Sequence, residues 1–375
     1  MPAGSAAPIV LRRSRATVDL DALAANYQTI LQQLAGVPAA AVVKANGYGL
    51  GVVEVATTLW GQGCRQFFVA RVDEGMQLRA ALPTAEINVF DGYVPSSSDD
   101  LLSHDLVPIL NSMDQLRAWG VLAGETNRVL PAGIHIDTGM RRLGFPPEEY
   151  EQLCREPDLL NGVEVRHILS HLASADVSSS EQSADQLELF TAIRERLPMG
   201  AASLANSAGI FLGSAYHFDL ARPGIALYGG SPFPDSGLAN PMRSVVTLEA
   251  PIIQVQSAAT GASVGYGATH RLTSDSRIAT IPVGYADGFL RSISNTGMAA
   301  IQGQPTPIVG RVSMDLITLD VSSIDERFVY PGAPVELVGE HCPIDEVAEL
   351  AGSIPHEFLT NLSRRFELRY IGGPE

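Results

Sequence analysis

The chain predicts an α/β protein: an N-terminal (β/α)8 TIM-type barrel followed by a C-terminal mostly-β domain. Two observations carry this. Eight short apolar runs alternate with helix-like stretches in the first part of the chain, and such alternation builds a parallel sheet with right-handed crossovers. Beyond Asn240 the helical periodicity stops, and β-rich runs punctuated by glycine and proline take over.

The elements follow in order. DLDALAANYQTILQQLAG sets Leu20, Leu23, Tyr27, Ile30, Leu31 and Leu34 at helical spacing, with Asp19 or Asp21 to cap the start and Gly36 to end it. The eight apolar runs are AAAVVKAN (40–46), QFFVAR (66–71), EINVFDG (86–92), LVPIL (106–110), GIHIDTG (133–139), VRHILSH (165–171), SLANSAG (203–209) and FDLARPG (218–224). Helix-like stretches between them include 73–82, 112–124 and 180–197. Eight units over about 200 residues suit a closed barrel, and a doubly wound open sheet is the competing architecture. The later runs SVVTLEAPIIQVQ, RIATIPVGYAD, TPIVGRVSMDLITLDVS and APVELVGE form the β domain, with one helix near 344–352. The expected domains are 14–239 and 240–375, with residues 1–13 a flexible N-terminus or a strand added to the β domain.

The 375 residues fit two domains or one large barrel with an appendage. A formal net charge of −16 argues against nucleic acid and anionic membrane as partners. Arg142, Arg222, Arg291 and Arg311 remain available for a locally positive pocket. Cys64, Cys154 and Cys342 suggest neither a disulfide framework nor a zinc knuckle, and His341 beside Cys342 reads as a turn before Pro343 rather than a metal site. The N-terminal apolar stretch is too short for a signal peptide, and no run approaches a membrane span, so a cytoplasmic location is expected.

A barrel carries its working groups at the C-terminal ends of its strands. Those ends hold Lys44, Arg71, Asp91, Asp137 with Arg142, His171, Asn206 with Ser207, and Arg222 with Gly224. Lys44 is the most telling of them. A lysine that closes an apolar strand and faces a glycine-rich turn has few structural uses. One chemical use is a Schiff base to an aldehyde cofactor, pyridoxal 5'-phosphate (PLP). Such a cofactor also needs a phosphate cradle, which glycine and serine at helix starts provide. The strand ends NSAG and RPGIALYG have that chemistry.

The motifs VVKANGYGLG, DTGMRRLGF, SHLASAD, ANSAG, RPGIALYG, GYGATH, PVGYADGF and GRVSMD occur in this order. Each resembles a block of the alanine racemase family, PLP-dependent enzymes of fold-type III, and the resemblance spans about residues 14–372. It implies that Lys44 carries PLP. Tyr48, Asn206, Ser207, Gly224, Ile225 and Tyr228 would contact the cofactor, mostly at its phosphate. Arg222 would face the pyridine nitrogen, and His171 would lie by the ring. Arg142 would approach the ring hydroxyl and the substrate, and Met314 and Asp315 would border the substrate carboxylate. The implied reaction interconverts L- and D-alanine, with Lys44 and Tyr266 as opposed acid/base groups. Tyr266 would come from the partner subunit of a homodimer. The implied role is supply of D-alanine for peptidoglycan.

Some positions depart from the family pattern. His135 stands where a carbamylated lysine is usual, Leu50 replaces a histidine, Gly47 an alanine and Arg364 a tyrosine. A serine or broad-specificity racemase, a non-catalytic PLP-binding barrel and a fold-type III decarboxylase remain as alternative readings. The decarboxylase is disfavoured by Arg222, where an acidic residue is usual.

Overall fold

The computed structural model describes residues 10–177, 180–234, 237–362 and 365–373. Arg364 lies outside the described residues. The chain forms two compact units. Among the described residues one comprises 23–227, 231–234 and 237–242, and the other 10–22, 228–230 and the stretch from Arg243 to Gly373.

The first unit is built on parallel strands. β1 (Arg15–Asp19) belongs to the second unit. The barrel then runs through β2 (Ala41–Val42), β3 (Gln66–Val69), β4 (Glu86–Val89), β5 (Leu106–Leu110), β6 (Leu130–His135), β7 (Val163–Leu169) and β8 (Ala201–Ser203), each paired parallel with the next. Their apolar character follows from burial on both faces; β5, for example, is buried at every position.

The expected eighth strand does not form a regular ladder. Segment 219–223 nevertheless closes the barrel by bonding to both neighbours. The N–H of Arg222 donates to Ala205 O at 2.9 Å and that of Asp219 to Ala202 O at 3.0 Å. On the other side Ala40 and Val42 donate to Ala221 O and Pro223 O at 2.8 and 3.0 Å. Pro223 has no N–H to give, which shortens the regular pairing. The closed barrel thus holds, and the open doubly wound sheet does not.

The long helices agree with the sequence periodicity: Leu20–Leu34, Val72–Ala81, Met113–Thr126 and Gln182–Arg196. Three helices were not among those read, Val52–Gly61, Ser98–Ser103 and Pro147–Arg155. The last begins on a proline, whose fixed φ suits a first helical turn although it also reads as a breaker.

The second unit is mostly strand. A six-stranded sheet contains β9 (Val246–Pro251), β14 (Met298–Ile301), β15 (Gln304–Pro307), β17 (Pro334–Val338), β18 (Glu367–Ile371) and β1. β1 pairs antiparallel with β9 and parallel with β18, so the N-terminal segment that joins this sheet is 15–19. Smaller sheets join β10 (Gln254–Ala258), β13 (Ser276–Ile281) and β16 (Ile317–Asp320), and β11 (Ser263–Val264) with β12 (His270–Arg271). The helix expected near 344–352 spans Ile344–Leu350, and a second helix, Pro355–Asn361, follows it. Among the described residues no helix is long and apolar enough to cross a membrane.

Candidate active site

The C-terminal ends of the barrel strands gather most of the expected residues. Lys44 follows β2 and is half-buried. The chain after it makes a left-handed turn: Ala45, Asn46, Gly47 and Tyr48 all have φ between 53° and 63°. Left-handed backbone costs roughly 1–2 kcal/mol per non-glycine residue, so the turn needs external support. Asn46 Oδ1 accepts the N–H of Val52 at 3.1 Å, and Glu74 Oε1 accepts the N–H of Ala45 at 2.7 Å. Glu74 Oε2 also accepts the N–H of Ala70 at 2.8 Å, so one carboxylate ties the ends of β2 and β3 together.

The Lys44 amine has its pKa lowered by burial first and by the cation Arg142 second, with Glu74 and Asp91 opposing. Its Nζ lies 6.0 Å from the centroid of Phe90. Arg142 is exposed and sits in the loop 137–145. Asp137 organises that loop, its Oδ1 accepting the N–H groups of Gly139 at 2.9 Å and Arg141 at 3.0 Å. Asp137 therefore shapes the turn that carries Arg142.

Arg222 is buried and donates from its guanidinium to Ser203 Oγ and to Ser170 O. Burial lowers its pKa to about 10, which still leaves it a cation at neutral pH. His171 lies within electrostatic reach of Arg222, Arg142, His135 and Lys44. Burial, reinforced by those groups, holds its pKa well below the usual imidazole range, so it is neutral. Gln186 fixes the local backbone by accepting from Ala173 N at 2.9 Å and donating to His171 O at 2.9 Å.

The NSAG and RPGIALYG segments meet at Ser207, which is buried. Its Oγ accepts the N–H of Gly224 at 2.9 Å and of Ala226 at 3.2 Å. The N–H of Ile225, between them, makes no hydrogen bond among the described residues. A Cβ on Gly224 would run into the hydroxyl of the buried Tyr48. This is a cradle with an unused backbone donor, suited to an anionic oxygen. Asn206 Oδ1 accepts the N–H of Gly209 at 2.9 Å and caps the short turn that follows. Tyr228 ends the turn Ile225–Tyr228 and is fully buried.

Tyr266, Met314 and Asp315 belong to the second unit. Tyr266 is 72% exposed at the start of the turn Tyr266–Ala268, and the Arg311 guanidinium lies beside Gly267. The motifs PVGYADGF and GRVSMD pack on each other: Tyr285 and Ala286 donate backbone N–H groups to Ser313 O at 3.1 Å and Met314 O at 3.0 Å. Met314 is exposed. Asp315 Oδ1 pairs with the Arg365 guanidinium at 2.9 Å, and the same guanidinium reaches Asp287 at 3.2 Å. Arg291 is exposed on its own short turn.

Sequence reasoning missed Glu74, Asn111, Ser203 and Gln186. Glu74 left a trace, an acidic residue three places after Arg71 at the helix start, the pattern of a helix-capping glutamate. Asn111 left another, an amide directly after the fully apolar β5.

The arrangement combines a half-buried amine of lowered pKa, a buried cation, a neutral imidazole and an anion cradle. Comparison with known proteins gives it a family. Residues 18–232 match the family described as alanine racemase, N-terminal domain, and residues 245–370 match alanine racemase, C-terminal domain. The alanine racemase of Rhodospirillum rubrum is 46% identical over 358 residues, covering 95% of both chains. The catabolic alanine racemase of Rhizobium johnstonii is 45% identical, covering 94% of this chain and 93% of the relative. The crystal structure of alanine racemase from Bartonella henselae, with covalently bound pyridoxal phosphate, superposes with a TM-score of 0.90 at 40% identity. It covers 96% of this chain and 99% of that one. The chain belongs to the alanine racemase family and is an amino-acid racemase, an isomerase.

Proposed function

We propose that the chain interconverts L- and D-alanine with PLP covalently held by Lys44, using Lys44 and Tyr266 of the partner subunit as the two acid/base groups. The observation that carries the reading is the cradle of Ser207, Gly224 and Ile225 at the barrel end where Lys44 stands. The cofactor phosphate fits it: Gly224 leaves no room for a side chain against Tyr48, and the Ile225 N–H has no partner among the described residues. Tyr228 and the capped Asn206 turn would complete the phosphate end.

When bound, PLP supplies an electron sink that makes the α-proton of the substrate acidic. The chain's own residues do the rest. Arg222 would face the ring nitrogen as a cation that does not release its proton, which keeps the sink weak and suppresses side reactions. Neutral His171 would lie by the ring without adding charge. Arg142 would hold the ring hydroxyl and the substrate carboxylate. Racemisation takes a proton from one face and returns it on the other, so two groups must flank one carbon. Lys44 would serve the face of D-alanine, its lowered pKa providing free amine nearer neutral pH. Tyr266 of the partner subunit would serve the face of L-alanine. Met314 and Asp315 would border the substrate entry, with Asp315 steadied by Arg365.

A homodimer is supported by the exposure of Tyr266, Tyr285, Met314 and Leu316, apolar or amphipathic side chains that a partner would cover. The reaction would run in the cytoplasm and supply D-alanine to peptidoglycan.

The test has two parts. The purified protein should show a visible chromophore that borohydride fixes onto Lys44, and a protein that neither carries nor takes up PLP rules the reading out. Tyr266→Phe should slow exchange of the α-proton of L-alanine with solvent far more than that of D-alanine. Equal loss on both enantiomers would refute the two-base assignment.

A further inference from the structure

His135 is the last residue of β6, and its Nδ1 lies 2.8 Å from Asn111 Oδ1. Asn111 decides which tautomer this is. Its amide nitrogen donates to the carbonyls of Phe90 and Ile109, each at 2.8 Å, which fixes the orientation of the amide. The oxygen left facing His135 can only accept, so Nδ1 carries the proton. Burial and the cations Arg222 and Arg142 oppose a second proton, against the weaker pull of Asp137, and hold the ring's pKa to about 3. The ring is therefore neutral, and its Nε2 offers a lone pair. That atom makes no hydrogen bond among the described residues.

Arg142 is the complementary case. Its guanidinium, rich in donors, makes neither hydrogen bond nor ion pair among the described residues, and it lies within electrostatic reach of His135, His171 and Lys44. An acceptor without a donor ends β6, and a donor without an acceptor stands in the loop that follows it. The loop carrying Arg142 leaves β6 directly after His135, and Phe145 N returns to His135 O at 2.7 Å, so the two residues are the base and the arm of one closed loop.

We propose that His135 is a positioning residue whose Nε2 lone pair accepts an N–H of Arg142 when the site is loaded, holding that guanidinium in place without neutralising it. The inference rests on the alanine racemase reading for its function. An anionic side chain at 135 would also hold Arg142 but would cancel its charge, and the Lys44 amine would lose the neighbour that disfavours its protonation. A neutral acceptor separates the two effects: the arm is fixed and the charge survives. Asn111 sets the device by locking the proton on the far nitrogen.

The experiment compares the full-length protein with His135→Gln, His135→Leu and His135→Glu. Selective nitrogen labelling of histidine, with His135→Gln identifying the signal, reads the tautomer directly. The expected result is a protonated Nδ1 and a bare Nε2 through the neutral pH range; a protonated Nε2 there overturns the proposal. The pH dependence of amine acylation at Lys44 in the cofactor-free chain reads the charge of Arg142. Gln, a neutral acceptor, should keep the wild-type midpoint. Glu should raise it by about one unit, as expected when a nearby cation is neutralised. Leu should raise KM for alanine about tenfold or more, the worth of one charged hydrogen bond, and Gln should restore most of it. Leu and Glu giving the same Lys44 midpoint and the same KM as wild type would overturn the proposal. If wild-type protein does not racemise alanine at all, the functional reading fails, while the nitrogen spectrum and the Lys44 titration still judge His135.

Discussion

Glu74 Oε1 accepts the backbone N–H of Ala45 at 2.7 Å, one residue beyond Lys44. Its other oxygen takes the N–H of Ala70 at 2.8 Å. The carboxylate thus holds the left-handed turn from outside, and the Lys44 amine inherits its position. Glu74→Ala should cost about 1–3 kcal/mol of stability, the range for leaving such donors unmet, and should lower kcat about tenfold through misplacement. Thermal unfolding and steady-state kinetics read the two effects. An alanine variant with unchanged kcat would show that the turn holds itself.

Gly224 makes a second prediction. A Cβ there meets the Tyr48 hydroxyl, so Gly224→Ala should weaken PLP binding about tenfold or more. In a double-mutant cycle with Tyr48→Phe the losses should not add, because removing the hydroxyl relieves the clash. Absorbance titration of the cofactor-free chain gives the four affinities. Strict additivity would mean that the cradle fails for another reason.

Arg142 bears on the Lys44 amine by charge. A nearby cation disfavours the ammonium form, so removing it lets the proton stay on to higher pH. Arg142→Met should therefore move the Lys44 midpoint upward, toward the ordinary 10.5, while burial keeps it below that value. Acylation of the cofactor-free chain across pH 7 to 11 measures it, with those limits set by roughly the lysine range. A downward shift would contradict the assignment of Arg142 as a cause.

A fourth prediction concerns the barrel interior, where Glu86 Oε1 meets His167 Nε2 at 2.7 Å. Burial acts to raise the Glu86 pKa, but His167, with Asn88 and Arg166 behind it, outweighs that effect and the net shift is downward. A carboxyl depressed in the folded state gives stability that is fully present above its unfolded value, near 4.5, and lost as pH falls through the folded value. Glu86→Gln should be less stable than wild type near neutrality by about 1 kcal/mol, and the gap should narrow on acidification. Urea unfolding at neutral pH and near pH 4 (roughly the carboxylate range) compares the two. A gap that stays constant would remove charge from the account.

Much of this was legible in the sequence because periodicity and strand-end chemistry are local. Lys44, His171, Ser207, Arg222 and Gly224 each stand at the end of an apolar run, Arg142 stands in the loop after one, and the barrel collects such ends on one face. What escaped depends on register and reach. Glu74 acts on a turn 29 residues earlier in the chain, and Asn111 on a histidine 24 residues later. Neither distance has a sequence signature. Asn206 has a place in a motif, but the cap its side-chain oxygen gives the turn at Gly209 has no sequence signature of its own. The left-handed turn after Lys44 was also hidden, since Ala45 and Asn46 look ready for an ordinary helix start.

The irregular segment 219–223 has one more consequence, for folding. The last stave of the barrel carries Arg222, and its backbone bonds to Ala205 and Ala40 are the same ones that shut the ring. Shutting the ring pairs segments nearly the full length of the unit apart, a contact whose loop-closure cost must be met before it rewards the chain. A chain stalled before that step would have Lys44 but no opposing cation and no cradle. Such a chain would lack the candidate site altogether, so closing the ring and assembling the site are one event.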